Sequence, residues 1–535
     1  MRSIHKRIFA VILLTGFTGC AVRPPRVPVR ESPEIRVGLL EGLRRVEFTA
    51  RDRFRIENEA GIPFGGGQPG SRWYAEVIQS VPGRVTYHLT AGSMHDRGEA
   101  RRRAAELETK GIATEIRVSG RPLVLGGRVV TTNRQYRIFI SGVFDTHEEA
   151  AAAGDSLGGL VRTSVTREVS RRPEGLLRVV NPATGQEYKS TGPILIRGAS
   201  VTLHDFPVGS GFHWERTEDQ TYPEIIQFDL DATGLLAVIN RVPLEVYVEG
   251  VIPSEMPPGF PLEALKAQAV AARGKVLGAW GIVHQADPYD VCARVHCQVY
   301  SGLSKRDPRT DQAARETAGI VLFSGDRLVD AIFGGVCGGH TEDVDLAWGG
   351  QPYAYLKGTL DGPHALRRYG PLHIEENARR WIDAHPPSHC NTNRNPVPAS
   401  LNYTKKYFRW EVRLTRDEIR QALAKRHIDI GDPVALIPLE RGVSGRIVRL
   451  RIAGTRGETI IRGELNIRQA LSPTTLWSSC FYVREAEDGF ALKGAGWGHG
   501  VGMCQTGAAM MAEGGKKFDA ILRHYYRDVQ FRRLY

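Results

Sequence analysis

In the stretch VIPSEMPPGFPLEALKAQAVAARGKVL, residues 251–277, Glu255 sits in a short polar turn closed off by Pro257, Pro258 and Pro261. So confined a carboxylate is either an acid at the start of the following helix or a group kept for proton transfer. The second use works best at a pKa raised towards neutrality, and Met256, Phe260 and the prolines offer the apolar wall that would raise it. On the helix that follows, Leu262, Leu265, Ala269, Ala272 and Val276 share one face. Gln268 and Arg273 fall off it, so each is either a surface residue or a ligand contact.

A second group, His284, Cys292, His296 and Cys297, lies in HQADPYDVCARVHCQVYSG. Thiolates with imidazole suit zinc, and a closed site would fix the loop behind the helix. A Cys292–Cys297 disulfide and free thiols are the competing readings. Cys337 and His340 could form a nucleophile–base pair, but the two glycines between them make a turn with no group to orient the base. His340, Thr341, Glu342 and Trp348 read better as groove residues, with Tyr353 and Tyr355 as further orienting candidates. In GAGWGHGVGMCQTGAAMM the glycines let backbone amides approach a ligand. The loop lacks the lysine of a phosphate-binding loop, so His499 and Gln505 are its polar contacts. Cys480 and Cys504 flank this region and could pair, although Cys390 leaves the pairing open.

The elements that must position these residues alternate in kind. Strands are expected over 34–67, in GPILIRG, EIIQFDL and LLAVINRVPLEVYVEG, and again in the β-rich ALIPLERGVSGRIVRLRIAGTRGETIIRGELNIRQAL. Helices are expected over 262–277, TDQAARETAG, the end of EVRLTRDEIRQALAKR and the end of ETIIRGELNIRQAL. Between them, residues 71–170 read strand–helix–strand twice, a small ferredoxin-like α/β unit. Tyr136, Ile138 and Ile140 mark its buried face, and Asp145 or Thr146 caps its second helix ahead of Glu148 and Glu149.

With 535 residues the chain is long enough for two to four domains, and 59 glycines with 30 prolines mark a turn-rich globular protein. The net charge of +12 suits a polyanionic partner. No zinc-finger spacing, basic arm or RNP-like motif accompanies it, so nucleic acid is not expected. Residues 1–20 carry a basic start, an apolar run from Ile8 to Leu14 and small residues before Cys20. This resembles a lipoprotein signal, with Phe17 departing from the usual leucine. Acylation of Cys20, a Pro/Arg-rich linker over 21–33 and membrane contact through the lipid are therefore expected. Ala21 directs the expectation to the periplasm and the outer membrane. The other six cysteines are then in a compartment that permits disulfides.

The 71–170 unit resembles a SPOR domain, on Tyr136, Gly142, Phe144, Glu148, Glu149, Ala150 and Leu157. The rest, 34–70 and 171–530, resembles the sporulation protein D (SpoIID) family and its amidase-enhancer relatives. LEVYVEGVIPSEMPPGFPLEALKAQAVAARGKVL, CQVYSG, GGHTEDVDLAWGG with PYAYLKG, and GAGWGHGVGMCQTGAAMMAEGG carry that resemblance. It implies an α+β fold, a mixed β-rich core with packed helices plus the SPOR-type unit. It also implies peptidoglycan lytic transglycosylation between N-acetylmuramic acid and N-acetylglucosamine, giving 1,6-anhydro ends on peptide-stripped strands. Glu255 would be the catalytic acid–base and Arg273 a catalytic partner acting through substrate. Gln268, His340, Thr341, Trp348, Tyr353, His499 and Gln505 would bind glycan. No cofactor is required by this chemistry. A structural zinc on the family's one histidine and two cysteines would fall on His284, Cys292 and Cys297. The alternative implied is a non-catalytic, glycan-binding enhancer of a cell-wall amidase partner.

Overall fold

The computed structural model describes residues 32–535 apart from 126, 158–159, 162, 210–214, 350–351 and 395. The expected signal segment, Cys20 and most of the expected linker fall outside the described residues. Two antiparallel sheets form the first half of the core. One runs, in spatial order, Glu34–Leu43, Leu236–Pro243, Ile225–Leu230, Ile194–Arg197, Phe54–Glu57 and Pro63–Gly67, with Val291–Cys292 added in parallel at its edge. The other runs Glu187–Ser190, Glu174–Val180, Arg72–Val81, Arg45–Ala50, Val201–Val208 and Arg216–Tyr222. Phe48, Phe54, Trp73 and Phe228 join them, with Phe48 and Phe228 5.3 Å apart and Phe54 edge-on to Trp73 at 5.5 Å. Each such buried ring contributes about 1.5–3 kcal/mol.

Inserted between Arg72–Val81 and Glu174–Val180 is a four-stranded sheet in the order Ser164–Arg171, Arg84–Met94, Gln135–Phe144, Thr114–Ser119. The helices Arg97–Glu108 (α1) and His147–Ser156 (α2) pack on it, giving the expected ferredoxin-like order. Thr146 caps α2 in a capping box with Glu149. The strand over WYAEVIQ, expected to open this unit, pairs instead with Arg45–Ala50 and Glu174–Val180. Its buried Trp73 and Ala75 fill the core between the two large sheets rather than the insert's own.

A second departure matters more for function. LEVYVEG, expected as strand, opens a helix, Leu244–Glu255 (α3), which ends on Glu255. Leu244, Tyr247, Val248, Val251 and Ile252 are all buried, and their spacing is that of a helix face. The β-branched residues and Pro253 disguise it. Next comes Leu262–Ala279 (α4), which packs against α3, against Pro308–Glu316 (α5), and against the late helices Gln505–Glu513 and Phe518–Tyr525. Helix α4 is therefore buried nearly all round, and Gln268 and Arg273, which fall off its apolar face, are inside the protein too. Two three-stranded sheets, Arg409–Thr415/Gly489–Ala495/Phe481–Ala486 and Pro433–Arg441/Ile447–Gly454/Gly457–Arg462, lie later in the chain, and a further one joins Ile320–Ser324 to Arg327–Leu328 and Gln530–Arg533. Among the described residues no helix is long and apolar enough to cross a membrane.

Candidate functional site

Glu255 is the last residue of α3 and remains partly accessible. The backbone N–H of Val299 donates to its Oε1 at 2.6 Å. Beside it Ser254 bonds Ser301 Oγ at 3.0 Å, joining the helix end to the 298–301 loop. Gln505 Nε2 donates to the Glu255 carbonyl at 3.1 Å and to Gln268 Oε1 at 3.3 Å. Gln268 is fully buried, and its Nε2 has no partner among the described residues. Glu255 makes no ion pair among the described residues. The carboxylates six and ten residues back on α3, Glu249 and Glu245, are bound by Arg306 and Arg273.

Burial pushes the Glu255 carboxyl up to about 7, against the opposing pull of the Val299 N–H, of Gln505 and of the Lys305 charge. Lys305 is a neighbour that the sequence pattern did not single out. The raised value costs the folded state when the carboxyl ionises. Stability should fall as pH rises from about 4.5, where the unfolded chain ionises, to about 7, and level off above. In Glu255→Gln that loss should be absent. The variant's thermal midpoint should match wild type near pH 4 and exceed it at pH 8, by up to about 3 kcal/mol of stability at most. Parallel pH-dependent melting curves for the two proteins would refute the assigned protonation.

The glycine-dense loop reaches the same region. Gly334 and Cys504 pair in a short parallel bridge, which places Gln505 next to Glu255. The His499 ring packs over Gly334, where an added Cβ would meet Nε2 at 3.2 Å, and Trp348 lies 4.8 Å from His499. Trp348 is 48% exposed, an aromatic face open to a ligand. His499 Nδ1 accepts from Val501 N, and burial lowers its pKa to about 3, so it is neutral. The helix after the loop is capped by Cys504 rather than Thr506.

Other expected residues sit elsewhere. Arg273 is 0% exposed, and its guanidinium forms a two-point pair with Glu245 at 2.7 Å for both bonds, plus a bond to the Ile320 carbonyl at 3.0 Å. Tyr535 and the Gly319 N–H bond the same Glu245. Glu245 lies ten residues before Glu255 on α3, about 15 Å of helix rise. The expectation that Arg273 meets substrate is therefore corrected: it holds α4 to α3 and to the strand Ile320–Ser324. Thr341 is buried in mutual bonds with Thr359, and Glu342 is enclosed by Val443, Ser444 and Asp343. His340 lines a cavity of about 600 Å³ with Arg367, Trp381, His524 and Arg527, and Glu255 is not among its walls. Tyr353 stacks on Tyr355 and faces His95 of the inserted unit. Cys337 is buried against other thiols and His340 Nδ1 bonds the Thr341 carbonyl, so no nucleophile–base pair forms. Cys480 faces the Ser444 carbonyl in a separate cluster, away from Cys504.

The His284 group does come together, and His296 joins it: one ligand atom from each of His284, Cys292, His296 and Cys297 lies within 4.8 Å of the others. His284 Nε2 is 3.3 Å from Cys297 Sγ, and its Nδ1 is held by Asp287 at 2.8 Å, the carboxylate–histidine arrangement of zinc sites. The two cysteines are not joined. His296 was in the sequence cluster, but its adjacency to Cys297 hid that both can point inward. The inserted unit docks on this corner. Arg167 pairs with Asp287, Arg137 bonds the Ile282 carbonyl at 2.9 Å, and Gly120 N bonds Gly281 O at 3.1 Å.

Two parts of the chain match known domain families, the SpoIID domain and the SPOR domain. Residues 232–323 match the stage II sporulation protein family (SpoIID), residues 83–162 the SPOR domain, and residues 342–502 a domain of unknown function. The relatives are particular. An uncharacterized protein of Brachyspira hyodysenteriae is 29% identical over 55% of this chain and 68% of its own length. The amidase enhancer of Bacillus subtilis is 26% identical over 84% of this chain, which covers 64% of that protein. The stage II sporulation protein D of the same organism is 28% identical over 55% of this chain and 75% of its own.

Proposed function

We propose that this chain is a peptidoglycan lytic transglycosylase. The observation that carries the reading is Glu255: one carboxyl at a partly open helix end, desolvated to a pKa of about 7 and without an ion pair among the described residues, while its carboxylate neighbours on α3 are bound by arginines. Glu255 gives its proton to the glycosidic oxygen between N-acetylmuramic acid and N-acetylglucosamine, and the C1–O bond breaks. The carboxylate then takes the proton of the muramic C6 hydroxyl as that oxygen bonds C1, closing the 1,6-anhydro ring. No water is consumed. A retaining hydrolase would need a second carboxylate about 5–5.5 Å away, which this route does not use. Gln505, held beside Glu255 by the buried Gln268, offers a hydrogen-bonding group to the sugar, and Trp348 offers a stacking face. The SpoIID and SPOR matches support a role at the cell wall, and the SPOR unit would hold glycan strands near the site. Lipid attachment at Cys20, in the periplasm at the outer membrane, completes the proposal.

The amidase-enhancer relative, matched over 84% of this chain, favours a second reading as a glycan-binding activator. Mass spectrometry of peptide-stripped sacculi after digestion separates the two. Anhydro-muramic ends support cleavage, reducing ends indicate hydrolysis, and intact glycan with faster release by an added amidase moves the assignment to the enhancer.

His284, Cys292, His296 and Cys297 fit a structural zinc, which would lock the loop whose Val299 N–H holds Glu255. Cys297→Ser should lose one equivalent of zinc by elemental analysis and unfold at a lower temperature. Unchanged metal content and melting would remove zinc from this corner.

A further inference from the structure

Three thiols and one carboxylate from four distant segments converge in the core beyond the Glu255 loop. They are Cys337 in the GGVCGG turn, Asp361, Cys390 and Cys504, all buried, with one ligand atom of each within 4.8 Å of the others. Cys337 Sγ lies 3.5 Å from Cys390 Sγ and 3.2 Å from Asp361 Oδ2. The remaining carboxylate contacts are the Cys390 N–H at 3.2 Å, Tyr525 OH at 2.8 Å and His524 Nε2 at 3.6 Å.

The surroundings are arranged for anionic sulfur. Cys337 N at 3.2 Å and Gly507 N at 3.4 Å both point at Cys504 Sγ, and Gly339 N points at Cys337 Sγ at 3.4 Å. A neutral thiol is a weak acceptor and has little use for three amide donors; a thiolate takes them well. Cys504 also caps the helix Gln505–Glu513, where the helix dipole favours negative charge. Behind the cluster the guanidiniums of Arg446 and Arg409 bond the Cys337 and Gly338 carbonyls, at 3.2 Å and 3.0 Å. A fully buried carboxylate among thiols is costly without a compensating charge.

We propose that Cys337, Cys390, Cys504 and Asp361 form a second, closed metal site that takes zinc. Three sulfurs and one carboxylate oxygen with no open position match a structural tetrahedral ion. Loading replaces the three thiol protons, which leave to solvent, and changes no oxidation state. The ion ties the 333–341 loop, Asp361, the Cys390 loop and the helix after Cys504 to one point. Gln505 is the next residue, so the site keeps Gln505 against Glu255 and Gln268. This role is independent of whether the chain cuts glycan or activates another enzyme.

The test uses the full mature chain purified without chelator. Elemental analysis should find two zinc ions in wild type and one in Cys292→Ser/Cys297→Ser. Replacing zinc by Co(II) in that double variant should still produce sulfur-to-cobalt charge-transfer absorption, and adding Asp361→Asn should shift or abolish it. Should the double variant not fold, wild type decides alone: two zinc ions, with Cys337, Cys390 and Cys504 alkylated only after unfolding with chelator, support the site. No ion in wild type, no metal in the folded double variant, alkylation of the three cysteines in the native chain, or a disulfide mapped between any two of them overturns it.

Discussion

Glu255→Gln should lose at least about 10²-fold in the formation of anhydro-muramic ends, the scale of general acid catalysis, while binding to peptide-stripped glycan is retained. The amide is the same shape as the carboxyl and can accept the Val299 N–H, so the loop geometry survives. What disappears is the proton, both the one delivered to the leaving oxygen and the one taken from the C6 hydroxyl. Because the acid form is needed first, the wild-type rate should decline above a pH of about 7. Equal product from variant and wild type in a sacculus digest would exclude Glu255 as the acid. A parallel loss of glycan binding would show instead that the substitution damages the groove.

Arg273→Met should destabilise the protein by about 3–5 kcal/mol, because it leaves Glu245 buried and charged without its partner. Glu245→Gln should cost a similar amount by stranding the guanidinium. The double substitution Glu245→Gln/Arg273→Met should cost clearly less than the sum of the two, since neither charge is then left alone. Denaturant unfolding of the four proteins measures this. If Arg273→Met instead melts like wild type and lowers only the rate of glycan cleavage, Arg273 belongs to the reaction and the structural assignment falls.

The contrast between these two residues shows what the sequence made legible. Glu255 could be read locally: prolines follow it in the turn, and its chain neighbours Met256 and Phe260 are buried as their apolar character suggests. The ferredoxin-like unit was legible for the same reason, since its strands and helices are consecutive and its cap, Thr146, is adjacent to what it caps. Arg273 was not, because its partners Glu245 and Tyr535 are far along the chain and periodicity says nothing of long-range charge. An amphipathic stripe also misleads where a helix is covered on several sides, as α4 is by α3, α5 and two late helices. Helix α3 was missed because its β-branched composition favours a strand, and burial in the core overrode that preference. The Cys337–Cys390–Cys504 convergence could not be read at all, since it depends on loops from three regions meeting.

The inserted SPOR-type unit leaves and rejoins the core at neighbouring points. Val81 is paired with Glu174 in adjacent antiparallel strands, with residues 82–173 looped out between them. For the growing or translocated chain this is a hairpin whose turn is a whole domain. The unit's own strand pairings all fall within residues 84–171, so it can fold before the large sheets have their later strands. Once folded, it brings Val81 and Glu174 together and spares the core most of the loop-closure entropy of a long, floppy connection. Assembly of the surrounding sheets then waits on Ile225–Leu230 and Leu236–Pro243, and the helix bearing Glu255 follows the latter directly.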